Sequence, residues 1–180
     1  QKTYGGSSYD GARSIHQTTD GGFIMAGTTL SMDGDILGNH GGDDVWVVKL
    51  TTTGSIQWKK AIGGTNNDGA YSISPTHDGG YFVAGYTASN NFDISGNHGG
   101  LSDGLVVKLS STGSIEWQKS IGGSGSDFYN QVELENGERI SEKKAIEKEV
   151  DLSKVKYFRY SDVRSSKPPG SFPIEFGGKT

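Results

Sequence analysis

The sequence predicts a mainly β protein: tandem four-stranded antiparallel, blade-like units, followed by a small α+β segment. Three observations predict it. Glycine fills 29 of 180 positions while only 32% of residues are apolar. That mix suits short strands joined by tight turns and does not suit a helical bundle. The chain also repeats itself. Asp20-Gly-Gly-Phe-Ile-Met-Ala-Gly-Thr returns as Asp78-Gly-Gly-Tyr-Phe-Val-Ala-Gly-Tyr, and Gly38-Asn-His-Gly-Gly returns from Gly96. Val47-Val-Lys-Leu returns from Val106, and Gly54-Ser-Ile-Gln-Trp58 returns as Gly113-Ser-Ile-Glu-Trp117. Finally, apolar runs of strand length alternate with turn residues inside each copy.

Each copy divides into four strands, a to d. Strand a is expected over Ala12–Gln17. Asp20-Gly-Gly then supplies a tight turn, because glycine accepts the positive φ such a hairpin needs. Strand b follows over Phe23–Thr28, and a long polar loop covers Thr29–Asp44. Strand c spans Val45–Leu50. Thr52-Thr-Gly54 turns the chain into strand d, Ser55–Ile62. Gly63-Gly-Thr-Asn-Asn-Asp-Gly69 hands over to the second copy, whose strands start at Ala70, Tyr81, Leu105 and Ser114. Antiparallel order puts the a–b and c–d turns at one end of each sheet. The b–c loops and d–a linkers share the other end.

The repeats are expected to occupy residues 1–130, as units of about 1–62 and 63–121 and the start of a third at 122–130. Gln1-Lys-Thr-Tyr-Gly-Gly matches the end of a strand d, so the sequence opens inside a unit, and no signal peptide is visible. Composition changes near Asn130. Residues 1–130 hold 7 Lys+Arg against 12 Asp+Glu, whereas residues 131–180 hold 10 against 9. In this last segment, Val132–Ile140 reads as a hairpin about Asn136-Gly137. Ser141–Val150 reads as a short amphipathic helix capped by Ser141. Val155–Tyr160 reads as a strand, and Ser165–Gly178 as loop.

The phrases Asp78-Gly-Gly-Tyr-Phe-Val-Ala-Gly, Gly96-Asn-His-Gly-Gly, Val106-Val-Lys-Leu and Gly113-Ser-Ile-Glu-Trp resemble the propeller-type repeats, about 60 residues long, of large bacterial secreted and surface proteins. The resemblance covers residues 1–130. It implies a β-propeller-type fold in an exported bacterial protein, extracellular or at the cell surface, and carries no catalytic residue across. A ring takes about four to eight blades. Two full units therefore imply an incomplete ring, one that needs further blades or self-association to cover its open sheets.

Several functional classes lose support. The formal net charge is −4, which gives no basic footprint for nucleic acid. There is no cysteine for disulfides or thiolate metal sites. No apolar run approaches the ~20 residues of a membrane span. The Gly-Gly pairs lack the Lys-Ser/Thr of a phosphate loop, and no Gly-x-Ser-x-Gly elbow occurs. An enzyme is not expected.

The b–c loops are the candidate binding elements. The first holds Asp33, Asp35, Asn39, His40, Asp43 and Asp44; the second holds Asn91, Asp93, Asn97, His98 and Asp103. Such oxygen-rich loops suit Ca²⁺, but Asp and Asn equally cap a loop's own backbone. No other cofactor is expected. His40 and His98 occupy equivalent positions, either as metal ligands or packed on the Gly-Gly backbone to tie the loop down. Trp58 and Trp117 are equivalent too, as sugar-stacking platforms or as packing between units. Lys49 and Lys108 alternate with apolar neighbours and are expected on the solvated face or edge of strand c. The expected function is a non-catalytic binding or scaffold module presenting its b–c loops to a glycan or protein partner. The alternatives are a plain spacer, or a display stalk for an effector or toxin-like domain beginning near residue 131. The basic, aromatic stretch Lys156–Tyr160, with Arg164 and Lys167, motivates the latter.

Overall fold

The computed structural model describes residues 1–127 in full and the backbone of two further strands, 129–134 and 155–159. Eight strands form two four-stranded antiparallel sheets. The first contains β1 (Asp10–Gln17), β2 (Phe23–Thr29), β3 (Asp44–Leu50) and β4 (Ile56–Ile62) in chain order. The second contains β5 (Asp68–Pro75), β6 (Tyr81–Thr87), β7 (Asp103–Leu109) and β8 (Ile115–Ile121), again in chain order. Even the irregularities repeat. The register slips between Ala12 and Ser14 in β1 and between Ala70 and Ser72 in β5. It slips again between Lys49 and Leu50, and between Lys108 and Leu109.

Side-chain alternation explains how the sheets associate. Ile24, Ala26, Val45, Val47 and Ile62 share one face of the first sheet. They form a single core with Ile73, Tyr81, Val83, Leu105, Val107 and Leu109 of the second. The first sheet's other face carries Met25, Trp46, Val48 and Leu50, which pack with Ile36 and Tyr4. β2, β3, β6 and β7 are apolar on both faces; β3 and β7 are buried throughout, and β2 and β6 at all but one residue each. β1 has no such cover, and half of its residues are exposed.

The Asp-Gly-Gly turn is tied to strand c by a contact that corrects one expectation. Lys49 and Lys108 are not on a solvated face; each is 4% exposed. Lys49 Nζ donates to Asp20 Oδ2 at 2.8 Å and to the Leu50 carbonyl at 3.2 Å. Lys108 Nζ repeats this with Asp78 at 2.5 Å and the Leu109 carbonyl at 3.2 Å, and adds Glu116 at 3.1 Å. Alternation placed both lysines on the core-facing side of the strand, and the aspartate of the a–b turn reaches over to neutralise them. The turn glycines are required by this arrangement. Gly21 and Gly79 have φ of +78°, and a Cβ on Gly22 would run into the Leu50 carbonyl oxygen and Lys49 Nζ. The lysine hydrogen bond, with those from Thr18 and Gly22, holds the Asp20 carboxyl well below the usual range. At Asp78 burial pushes upward, but Lys108, Thr76 and Gly80 outweigh it and hold the carboxyl at about 2.

β9 (Tyr129–Leu134) lies against β5 and β6, much as β5 lies against β1, β2 and β3. It pairs antiparallel with β10 (Val155–Arg159). Of the strand expected at Val155–Tyr160, Val155–Arg159 is present, and Val132–Leu134 pair with it. The Asn136-Gly137 turn, the helix expected over Ser141–Val150, and Arg164 and Lys167 lie outside the described residues. No helix among the described residues is long and apolar enough to cross a membrane.

Candidate functional site: the loop end of the sheets

The b–c loops and d–a linkers meet at one end of the sheets and interlock through an aspartate that opens each strand a. Asp68 Oδ2 accepts from Gly64 N at 2.8 Å and from Ser89 Oγ at 2.7 Å, and Oδ1 accepts from Thr87 Oγ1. Asp10 makes the same set with Gly6 N (2.7 Å), Ser31 Oγ (2.8 Å) and Thr29 Oγ1 (2.5 Å). Gly123 N donates to Asp127 Oδ2 at 3.0 Å, so the motif begins a third time. One carboxylate thereby fixes the linker before its strand and the loop after the next.

The outer part of each loop is pinned to the same linker. Ser7 N donates to Asp33 Oδ1 at 2.7 Å, and Gly5 N to Asp35 Oδ2 at 3.3 Å. In the second unit Thr65 N donates to Asn91 Oδ1 at 3.0 Å, and Asn91 Nδ2 returns a bond to Thr65 Oγ1 at 3.2 Å. Asn39 and Asn97 each donate from Nδ2 to a strand-b carbonyl, Thr29 and Thr87, both at 3.3 Å. Their Oδ1 atoms accept from Gly41 N and Gly99 N. Asp43 acts through its backbone, with N donating to Asn67 Oδ1 and O accepting from Asp68 N at 2.6 Å. The side chains of Asp33, Asp35, Asn39, Asn91 and Asn97 are therefore occupied by backbone amides and carbonyls, as Asx-type caps. They do not converge on a common point, and no described group of three or more His, Asp or Glu could hold a metal ion.

His40 and His98 tie their loops down, but the anchor is a carboxylate rather than the Gly-Gly backbone. His40 N and Nδ1 approach Asp44 Oδ2 at 3.0 and 3.2 Å. His98 N and Nδ1 approach Asp103 Oδ2 at 2.8 and 2.7 Å. Asp44 and Asp103 are fully buried, and in both the Oδ1 atom has no hydrogen-bond partner. Burial pushes the Asp44 carboxyl up to about 6; the neighbouring Asp68 charge adds to this, and hydrogen bonds from His40 oppose it. Burial also raises Asp68.

The first histidine joins the two units. Its ring stacks on Phe92 with centroids 4.7 Å apart, and Nδ1 lies 3.9 Å from Asp93 Oδ2. Phe92 takes a φ of +56°, the sole positive φ of a non-glycine residue among those described. Trp58 makes a second junction further along β4. Its Nε1 donates to the Ser111 carbonyl at 3.2 Å, and its ring packs against Tyr81 with centroids 5.8 Å apart. Trp117 instead packs on Phe82 within its own unit.

Between these two junctions lies an open cleft of about 380 Å³. It is lined by Trp58, Lys59 and Lys60 of β4, by His40 and Asp93 of the b–c loops, and by Gly113 of the c–d turn. The cleft depends on side chains of strand d, so the polar pattern of the loops does not mark it. A second feature is visible in the sequence itself. Leu30, Met32, Leu37, Phe92 and Leu101 all lie in the nominally polar b–c loops, and all are exposed.

No family model matches the chain, and no curated protein matches it.

Proposed function

We propose that this chain is part of a propeller-type repeat array in an exported bacterial protein, acting as a non-catalytic binding and scaffold module. Its b–c loop end is the binding face, and a protein is the partner that best suits it. One observation carries this reading. Met32, Leu37, Phe92 and Leu101 are 67–79% exposed on loops whose backbones are held by side-chain hydrogen bonds. Apolar side chains held out on a rigid polar frame are a common device of protein recognition, since the contact loses little conformational freedom on binding.

The test is a capture experiment on arrays of extracellular proteins and glycans, comparing the wild-type chain with Met32→Asp/Leu101→Asp. Both side chains face solvent, so the double variant should melt as the parent does while losing capture of the protein partner. Capture that survives the double substitution, or an array that yields no partner at all, would defeat the proposal.

A further inference from the structure

We infer that the cleft between the two units is a binding site for an acidic sugar, with the carboxylate of a uronic acid held by Lys60 and the sugar ring laid against Trp58. The cleft does not depend on the b–c loop face binding a protein.

Charge is the first argument. Residues 1–130 carry only seven lysines and arginines in a region of net charge −5 (7 − 12). Lys49 and Lys108 are consumed in buried ion pairs. Of the five left, Lys59 and Lys60 are consecutive in β4 and both contribute to the lining of this cleft. Lys59 Nζ is engaged by the Gly34 carbonyl at 3.3 Å. Lys60 projects from the same face of β4 as Trp58, since it pairs with Val47 and Trp58 pairs with Lys49. It is half-buried and has no ion pair or hydrogen bond to a described residue. A half-buried cation without a partner in an acidic protein favours an anionic ligand.

Shape and polarity narrow the class. A volume of about 380 Å³ lies in the range of about 300–1,000 Å³ usual for small-molecule sites. Gly113 and Tyr81 cover part of the Trp58 indole, and the remainder lines the cleft. An indole offers an apolar surface for the C–H face of a pyranose. Asp93 also lines the cleft, as an acceptor near His40. A simple inorganic anion would use Lys60 and be repelled by Asp93. A neutral sugar would use Asp93 and Trp58 and leave Lys60 unpaired. A uronate uses all three, as its carboxylate meets the ammonium and its hydroxyls donate to Asp93.

The test is calorimetric titration of the 180-residue chain with trigalacturonate, maltotriose and inorganic sulfate. Trigalacturonate should bind saturably at one site and quench indole fluorescence, and the other two should bind at least tenfold more weakly. Lys60→Gln should weaken trigalacturonate binding roughly tenfold, the scale of one charge-assisted hydrogen bond, with unchanged melting. Asp93→Asn should weaken it severalfold, and Lys119→Gln, an exposed change outside the cleft, should leave it nearly unchanged. Absence of saturable binding, equal affinity for maltotriose or sulfate, or full affinity in Lys60→Gln would each overturn the inference.

Discussion

Lys49 and Lys108 occupy equivalent positions but differ in one respect that mutation can read. Lys49 has a single carboxylate, Asp20, whereas Lys108 has Asp78 and Glu116. Removing one partner of a buried pair strands the other charge, while an apolar replacement of the buried member relieves it. Asp20→Ala should therefore lower the melting temperature more than Asp78→Ala does, because Glu116 still faces Lys108. Adding Lys49→Met to Asp20→Ala should restore most of the loss. Equal losses for the two aspartates in thermal melts would show that Glu116 contributes nothing. The glycine of Met25-Ala26-Gly27 and of Val83-Ala84-Gly85 is a residue-scale constraint of another kind. A Cβ on Gly85 would overlap the Gly69 carbonyl oxygen where β5 bulges against β6, and Gly27 meets Gly11 in the same way. Gly85→Ala is expected to cost about 3 kcal/mol in urea unfolding, the level at which overpacking forces backbone movement.

Among the elements, Asp44 and Asp68 at the loop end and Asp20 and Asp78 at the a–b turns respond oppositely to pH. Asp44 is raised from 3.8 to about 6, so between those values the folded chain holds more protons than the unfolded one. Its contribution to stability is full below about pH 4, falls as pH rises to 6, and is flat above. Asp78 is lowered to about 2, so its contribution is present above pH 4 and is lost as pH falls toward 2. Unfolding free energy measured across pH should peak near 4–5. Asp44→Asn should remove much of the decline on the alkaline side while leaving the acid side in place; an unaltered decline would place its origin elsewhere. The strands themselves were legible in the sequence, because Asp-Gly-Gly and Thr-Thr-Gly turns bracket apolar runs, and all eight strands of the two sheets fall within two residues of expectation at their starts. The sharing of one end by b–c loops and d–a linkers followed from antiparallel order alone. The roles of the loop aspartates and of Lys49 were less legible. A carboxylate that caps an amide and one that binds a ligand have the same spacing, and alternation alone cannot say that Asp20 reaches a lysine 29 residues away. The cleft beside Trp58 was hidden for a related reason: it is made by two units together and has no signature in either.

For the whole molecule, the decisive comparison is between Ile15 and Ile73, which hold the same place in β1 and β5. Ile73 is fully buried against the first sheet, whereas Ile15 is 58% exposed. A repeat array explains the difference, because each strand a is covered by the unit before it. The two positions should then respond differently to charge. Ile73→Lys should cost about 3 kcal/mol or more, since it places an unpaired ammonium in the shared core. Ile15→Lys should change stability by less than about 0.5 kcal/mol, as a surface substitution does. If one further copy of residues 63–121 is joined ahead of Gly5, the same Ile15→Lys change should become as costly as Ile73→Lys, and the extended chain without it should melt higher than the 180-residue chain. Each added unit contributes an interface as well as its own sheet, so the rise in melting temperature reports directly on whether the units stack in the manner of blades. If Ile15→Lys stays harmless in the extended chain, successive units do not repeat the packing of the first sheet on the second, and a ring-forming array is ruled out.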